Sequence, residues 1–291
     1  MISIVIISKD EPSLDSTLTH VGEQARSLGE PFEIIVVDAS EGRLDHIRER
    51  HTTTVRWVPF QPIPGLRISI PHQRNVGVRA AAGEIIVFTD AGCTPASNWL
   101  GRLVAPLRRG EQVTSGITLS AEDGTGLYDQ ESTAAGARVY LPECPTINLA
   151  FSRAAFDAVG GFDEGFAYGS DIDFSWRLND AGYRILSVPD AVIRHDWGTW
   201  RRQLRRSYQY GKARLRLYRK HRKRLRRVLR TDPMVVVYPV FLLGLPLTLV
   251  FPLYPALLLI PAWRNRSRGV VRVLADHLTF GLGVLAELIG R

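Results

Sequence analysis

Three short apolar runs, each ending in a polar, acid-bearing turn, constrain this chain more than any other feature. Ile2-Ser3-Ile4-Val5-Ile6-Ile7 runs into Ser8-Lys9-Asp10-Glu11, and Phe32-Glu33-Ile34-Ile35-Val36-Val37 runs into Asp38-Ala39-Ser40. The third, Glu84 to Thr89, runs into Asp90-Ala91-Gly92-Cys93. Short β-branched runs of this kind are the pattern of strands covered on both faces, and helix-like stretches lie at residues 13–28 and 74–82. The alternation predicts an α/β fold with a parallel sheet. In an open sheet the carboxyl ends of the strands border the ligand crevice. Ser8, Glu11, Asp38 and Asp90 are therefore expected at one edge, facing a bound molecule rather than the core.

A chain of 291 residues, 45% of them apolar, is long enough for one large core, or for one core and an appendage. The appendage is visible as 30 residues without a charge, Met234 to Trp263. About 20 apolar residues cross a bilayer as a helix, so the run is long for one span and short for two. Pro239, Pro246, Pro252, Pro255 and Pro261 would kink or break a helix there, which leaves a tilted single span or a re-entrant hairpin. Residues 201–230 hold 15 Lys or Arg and no acid, and Arg264, Arg266, Arg268 and Arg272 follow the run. Basic flanks on both sides favour entry and exit on one membrane face, hence the hairpin.

The formal charge of +8 belongs to that basic segment, since without it 22 basic groups face 29 acids. Leu204, Tyr208, Leu215, Tyr218, Leu225 and Leu229 recur among its arginines at helical spacing. Such a basic amphipathic helix, over residues 201–232, suits an anionic membrane surface, where each cation adds about 1 kcal/mol. Nucleic acid is the competing partner for a cationic run, but the adjacent apolar stretch argues against it, and no nucleic-acid partner is expected. Residues 270–290 remain open to an interfacial helix, a second span or an oligomer contact. Ile2 to Ile7 is too short and too early for a signal peptide. Cys93 and Cys144 lack a metal-ligand spacing and need no disulfide in a reduced compartment.

Six pieces in order carry a resemblance. Ser8-Lys9-Asp10-Glu11, Val37-Asp38-Ala39-Ser40, and Arg74-Asn75-Val76-Gly77 before Ala82-Gly83-Glu84 are three of them. The Asp90 turn, Gly160-Gly161-Phe162-Asp163-Glu164 and Gly169-Ser170-Asp171-Ile172-Asp173 complete the set, which resembles the family 2 glycosyltransferases over residues 1–220. The resemblance implies a GT-A fold, a Rossmann-like, mixed but mostly parallel sheet with flanking helices over residues 1–200. Residues 1–110 would then form the nucleotide-sugar half and residues 111–200 the acceptor half, with a membrane-associated helical region over 233–291. It further implies a nucleotide-diphosphate sugar donor, UDP-linked by preference and GDP-linked as the alternative, a divalent Mg²⁺ or Mn²⁺, and inversion at the anomeric carbon. The catalytic part is expected in the cytoplasm, where activated sugars are made.

The resemblance also distributes roles. Asp38, Glu11 and Ser8 belong to the nucleoside site, since ionised carboxylates accept hydrogen bonds from base and ribose; Asp10, Asp38 and Ser40 could instead cap the following helices. Arg74 would meet the diphosphate with its planar fork, with Asn75 and Gly77 shaping the turn, unless Arg74 is a solvated residue at a helix start. Relatives carry Asp-x-Asp where this chain has Asp90-Ala91-Gly92, so a metal would rest on one strand-end carboxylate and on oxygens of the donor. His195, in Val192-Ile193-Arg194-His195-Asp196-Trp197, is either a second ligand or a structural histidine.

Asp171 is the candidate general base, standing beside Ser170 where relatives carry an acid, and Asp173 would cap the same helix. Gly161, Phe162, Asp163, Trp176 and Arg177 would line the acceptor side, or form a structural turn with core phenylalanines. A base suits a hydroxyl acceptor, lipid-linked or membrane-proximal, and the lack of a Gln-x-x-Arg-Trp motif suits single additions. The alternatives are a polyprenyl-phosphate sugar synthase, indifferent to Asp171, and a non-catalytic nucleotide-sugar-binding membrane scaffold.

Overall fold

The computed structural model describes residues 1–62, 64, 65, 70–122, 124, 138–264 and 269–290. Arg266 and Arg268 of the second basic flank lie outside them, as does the Arg264 side chain. The chain divides into two units, Met1–Trp197 and Gly198–Arg291.

In the first unit strands and helices alternate: β1 (Ile2–Ser8), α1 (Leu14–Ser27), β2 (Phe32–Asp38), α2 (Asp45–Arg50), β3 (Val55–Pro59), α3 (Ile70–Ala80) and β4 (Ile85–Asp90). There follow β5 (Cys93–Pro95), α4 (Trp99–Arg108), β6 (Val113–Ser120), β7 (Tyr140–Leu141), β8 (Asn148–Ser152), α5 (Arg153–Ala158), α6 (Ser170–Asp180) and β9 (Ile185–His195). Among the described residues these strands form one sheet in the order β3-β2-β1-β4-β8-β6-β9-β5, with β7 beside β9. The strands β3, β2, β1 and β4 run parallel, whereas β8 is antiparallel to both β4 and β6. The sheet is thus mixed.

Side chains alternate across each strand. Ile4, Ile6, Ile34 and Val36 pack under α1 and α4 on one face. Val5, Ile35, Val37 and Phe88 pack on the other with residues of α3, α5 and α6. Gly77 lets α3 lie directly on β1, since a Cβ there would stand 2.4 Å from Val5 Cγ1. The register Ser8↔Asp38 and Ile7↔Asp90 brings the three strand ends level, which is why one edge carries all three. The helix α3 begins a turn earlier than the sequence pattern suggests, because Pro71 is tolerated in a first helical turn. Arg74 to Gly77 therefore lie within the helix rather than in a turn before it.

The second unit holds α7 (Trp200–Lys220), a 3-10 turn at Arg222–Arg227, α8 (Val228–Thr231) and α9 (Met234–Leu243). Further 3-10 turns at Leu245–Leu249 and Tyr254–Leu258 precede α10 (Leu259–Arg264) and α11 (Val270–Ile289). The continuous basic helix expected over 201–232 is broken at His221. Beyond that point Arg222, Lys223, Arg226 and Arg227 repel one another at helical spacing, and no residue of the 3-10 turn is buried to compensate.

Pro246 and Pro255 break the uncharged run by opening the two later 3-10 turns, whereas Pro239 lies within α9 and Pro261 within α10 without ending either helix. Among the described residues no helix is long and apolar enough to cross a membrane. Residues 270–290 instead form a helix laid against α7. A Cβ on Gly211 would stand 2.0 Å from the Phe280 carbonyl oxygen, and one on Gly283 2.0 Å from that of Tyr208, so only glycine permits this approach.

Candidate active site

At the nucleotide end, Asp38 Oδ1 accepts the Ser40 hydroxyl at 2.6 Å, and Ser40 Oγ in turn accepts the Asp10 backbone N–H at 2.7 Å. The helix caps suggested for Asp10, Asp38 and Ser40 are not what these groups form. Burial pushes the half-buried Asp38 carboxyl above its ordinary pKa, against the hydroxyls of Ser40 and Ser8 that pull it down. Asp10, in the left-handed region at φ 56°, turns outward, where a hydrogen bond from Arg43 Nε at 2.6 Å holds its pKa low. Gln73, reaching from α3, donates to the Ser8 carbonyl at 3.0 Å and the Val37 carbonyl at 3.2 Å, tying together the ends of β1 and β2. Sequence reasoning passed over Gln73; its one signal is a polar side chain four residues before Gly77, on the face that meets the sheet. Glu11 follows the β1 turn, half-buried.

Asp90 ends β4, and Gly92 carries the turn at φ 86°. The Gly92 N–H donates to Thr17 Oγ1 at 3.0 Å, and that hydroxyl lies 3.1 Å from the Cys93 carbonyl oxygen, so Thr17 of α1 pins the turn. The strand pairing Cys93↔His195 carries the histidine to the same place. A Cβ on Gly92 would lie 3.6 Å from His195 Nδ1, so the imidazole stands against the position where relatives place their second acid. Trp197 holds the ring edge-on at 4.6 Å between centroids.

Burial, with the charge of Asp90, pushes the Cys93 thiol up to about 12. It therefore stays neutral and leaves a carboxylate and an imidazole as donors. That pair suits Mg²⁺ or Mn²⁺, which take hard ligands and share them with phosphate and water. Among the described residues no three His, Cys, Asp or Glu side chains gather into a metal-holding group. The residues present thus fit a metal completed by its substrate.

The third part of the site is the first turn of α6, entered through Gly169 at φ 78°. Asp171 Oδ1 accepts the Ile172 N–H at 2.9 Å. Burial pushes this carboxyl above its ordinary pKa, Arg74 draws it down, and Glu143 adds to the upward push. Arg74 is no solvated helix-start residue: it is 7% exposed, its Nη1 lies 3.4 Å from Ser170 Oγ, and its guanidinium sits 5.6 Å over the Phe162 ring. Its Nε is buried without a hydrogen-bond partner among the described residues. Glu143 comes from the stretch between β7 and β8 and accepts Trp176 Nε1 at 2.9 Å. It stands near Asp171 while Ser170 holds the position that is acidic in relatives, and no local pattern announces it.

Asp173 does not cap α6; it is buried and pairs with Arg177 Nε at 2.8 Å, while Arg177 Nη1 reaches the Val159 carbonyl. Phe162 sits among aromatic rings, 4.3 Å from Phe174 and 5.7 Å from Phe88 between centroids. Gly161 is confined at φ 73°, where a Cβ would meet Phe156 Cζ at 2.7 Å. Asn75 clamps this loop, accepting the Phe162 N–H at 2.9 Å and donating to the Phe162 carbonyl and to Glu164. Asp163 accepts the Gly165 N–H at 2.9 Å. Phe162, Trp176 and Arg177 thus each have partners within the protein. Three successive residues of α3 serve three walls: Gln73 the strand ends, Arg74 the α6 turn, and Asn75 the 161–164 loop.

The sequence profile described as glycosyl transferase family 2 matches residues 3–163, and that of glycosyl transferase family group 2 matches residues 104–264. The glycosyltransferase AglE of Haloferax volcanii is 26% identical over 167 residues, 53% of this chain and 53% of that protein. The N-acetylglucosaminyl-diphospho-decaprenol L-rhamnosyltransferase of Mycobacterium tuberculosis is 28% identical over 192 residues, 63% of this chain and 54% of that protein. The chain thus spans about half the length of these curated relatives. Among solved structures, the mannosyltransferase PcManGT from Pyrobaculum calidifontis, in complex with GDP-Man and Mn²⁺, superposes with a TM-score of 0.70. That match covers 100% of this chain and 87% of the other at 18% identity, a likeness of fold.

Proposed function

The chain belongs to glycosyl transferase family 2, and on that premise we propose that it moves a sugar, with inversion, from a nucleotide-diphosphate donor to a hydroxyl of a lipid-linked or glycan acceptor. The observation that carries this reading is Asp171, a carboxylate of raised pKa in the first turn of α6 beside Arg74. A base works best when its pKa approaches the operating pH. Asp171 takes the acceptor proton as the new bond forms at the anomeric carbon and the bond to the diphosphate breaks on the opposite face.

Asp38 and Glu11 receive the nucleoside, held level with β1 by Gln73. Asp90 and His195 would hold the divalent metal, which when bound neutralises the departing diphosphate. Arg74, whose guanidinium stands beside the α6 turn, adds a donor there. A lipid-linked acceptor is suggested by the name of the mycobacterial rhamnosyltransferase. The donor nucleotide is uridine or guanosine diphosphate, the latter being what the PcManGT complex contains.

The test is turnover of UDP-, GDP- and TDP-sugars with Mn²⁺ and a hydroxyl-bearing acceptor, with the product linkage read by NMR. An anomeric configuration opposite to that of the donor is expected. Retention, or no turnover with any donor despite nucleotide binding, would overturn the proposal.

A further inference from the structure

The second unit carries an apolar surface of unusual extent. Leu249, Val250, Phe251, Leu253, Leu259 and Ile260 are between 62 and 88% exposed, although they are large and lie close together in the chain. Soluble proteins seldom leave contiguous apolar patches of this kind without an occupant. The charge beside them identifies it. Of the α7 cations, Arg216 and Arg219 share the single carboxylate of Glu287, and Arg214 pairs with Asp232. Arg222, Lys223, Arg226, Arg227 and Arg230, just before the apolar run, are exposed. An anionic surface with an apolar phase beneath it matches both features, and an anionic phospholipid leaflet is such a surface.

The elements also set the depth. The longest helix in the run, α9, has ten residues. At 1.5 Å per residue that is about 15 Å, half of the hydrocarbon core of about 30 Å. Backbone groups entering hydrocarbon must be satisfied within the protein. Here they are in good part: Leu247 N–H bonds to Gly244 O at 2.8 Å, Phe251 N–H to Leu247 O at 2.7 Å, and Tyr254 N–H to Phe251 O at 2.9 Å. The Tyr254 hydroxyl adds a bond to Phe241 O at 3.0 Å. Pro246, Pro252 and Pro255 have no N–H to bury, so the residues that break the helix also lower the desolvation cost.

We propose that residues 245–260 form a wedge that enters one leaflet of an anionic bilayer and leaves on the same face, with the cations of 222–230 on the headgroups. The wedge is independent of the transfer reaction, so its test uses the full chain without donor or acceptor. Co-flotation is measured with vesicles of phosphatidylcholine, with and without phosphatidylglycerol. Binding should require phosphatidylglycerol and fall by at least about tenfold in Leu249→Asp/Leu253→Asp, whose sites are exposed and whose fold circular dichroism should report unchanged. Reversal of Arg222, Lys223, Arg226 and Arg227 to Glu should abolish it.

Cys93 and Cys144 are buried, so a dye placed on Leu253→Cys reports depth alone. Quenching from the bound leaflet only is expected; quenching from the far leaflet would mean a span and overturn the proposal. Unchanged flotation in the double variant would overturn it too. So would a dimer in vesicle-free solution that the double variant splits into monomers, since the patch would then be a protein interface.

Discussion

Residues 1–197 turn their large apolar side chains inward, and Met1 is the one exposed example among the described residues; residues 198–291 leave Leu249, Leu253 and Ile289 in the open and bury Glu287 among arginines. In the first unit, strands buried on both faces force polar residues to the strand ends, and a polar site collects there. In the second, α7 and α11 are long, but like charges and prolines keep the elements between them short, and buried charge is used to hold α11 to α7. The contrast separates a unit that gathers polar groups at one sheet edge from one whose apolar side chains face outward, the surface we propose for a lipid phase. Substitutions in one unit should therefore leave the other's behaviour unchanged.

The largest effect is expected at Asp171, whose replacement by Asn should reduce transfer by about 10²–10⁴-fold with vesicle binding intact. The same change should raise thermal stability at neutral pH. The folded state raises the Asp171 pKa, so the stability associated with the protonated carboxyl is present at low pH and is lost as pH rises through the folded pKa. Asn keeps the neutral form, so the gain in Tm should vanish in acid; a Tm gain that persists there would contradict the burial argument.

Next comes Glu287→Gln, which leaves Arg216 and Arg219 without their charge partner. It should cost about 1–3 kcal/mol in chemical denaturation, confined to the second unit, because the cations are partly solvated. Loss of nucleotide binding in this variant would break the separation of the units. Gln73→Ala should cost about 1–2 kcal/mol of first-unit stability by freeing two buried carbonyls, and should weaken nucleotide binding several-fold by loosening the Ser8 and Asp38 ends. The smallest effect is expected for Thr17→Val, about 1 kcal/mol, seen in calorimetry as weaker metal-dependent donor binding while metal-free nucleotide binding is spared.

The two units also differ in how far they can be read from sequence. The ends of β1, β2 and β4 were legible because burial on both faces writes an unbroken apolar run, and because parallel strands end on one side. Strand β8, five residues inserted antiparallel between β4 and β6, was not, since its partners lie far along the chain and its run is too short to show a period. Gln73, Thr17 and Glu143 escaped notice for the same reason, each acting on a group at least 33 residues away. Asp173 with Arg177 was legible in principle as a pair four residues apart on a helix. In the second unit the arginines look unpaired in sequence because Glu287, which pairs with two of them, lies 68 residues beyond Arg219.

The most direct measurement of the central claim sets donor binding beside transfer in Asp171→Asn, with nucleotide-sugar and Mn²⁺ affinity by calorimetry and product formation on a hydroxyl acceptor. An unchanged donor Kd with transfer lost is the predicted result. Transfer retained at the wild-type rate would contradict the claim by removing Asp171 from the chemistry, and donor binding lost together with transfer would contradict its assignment as the base.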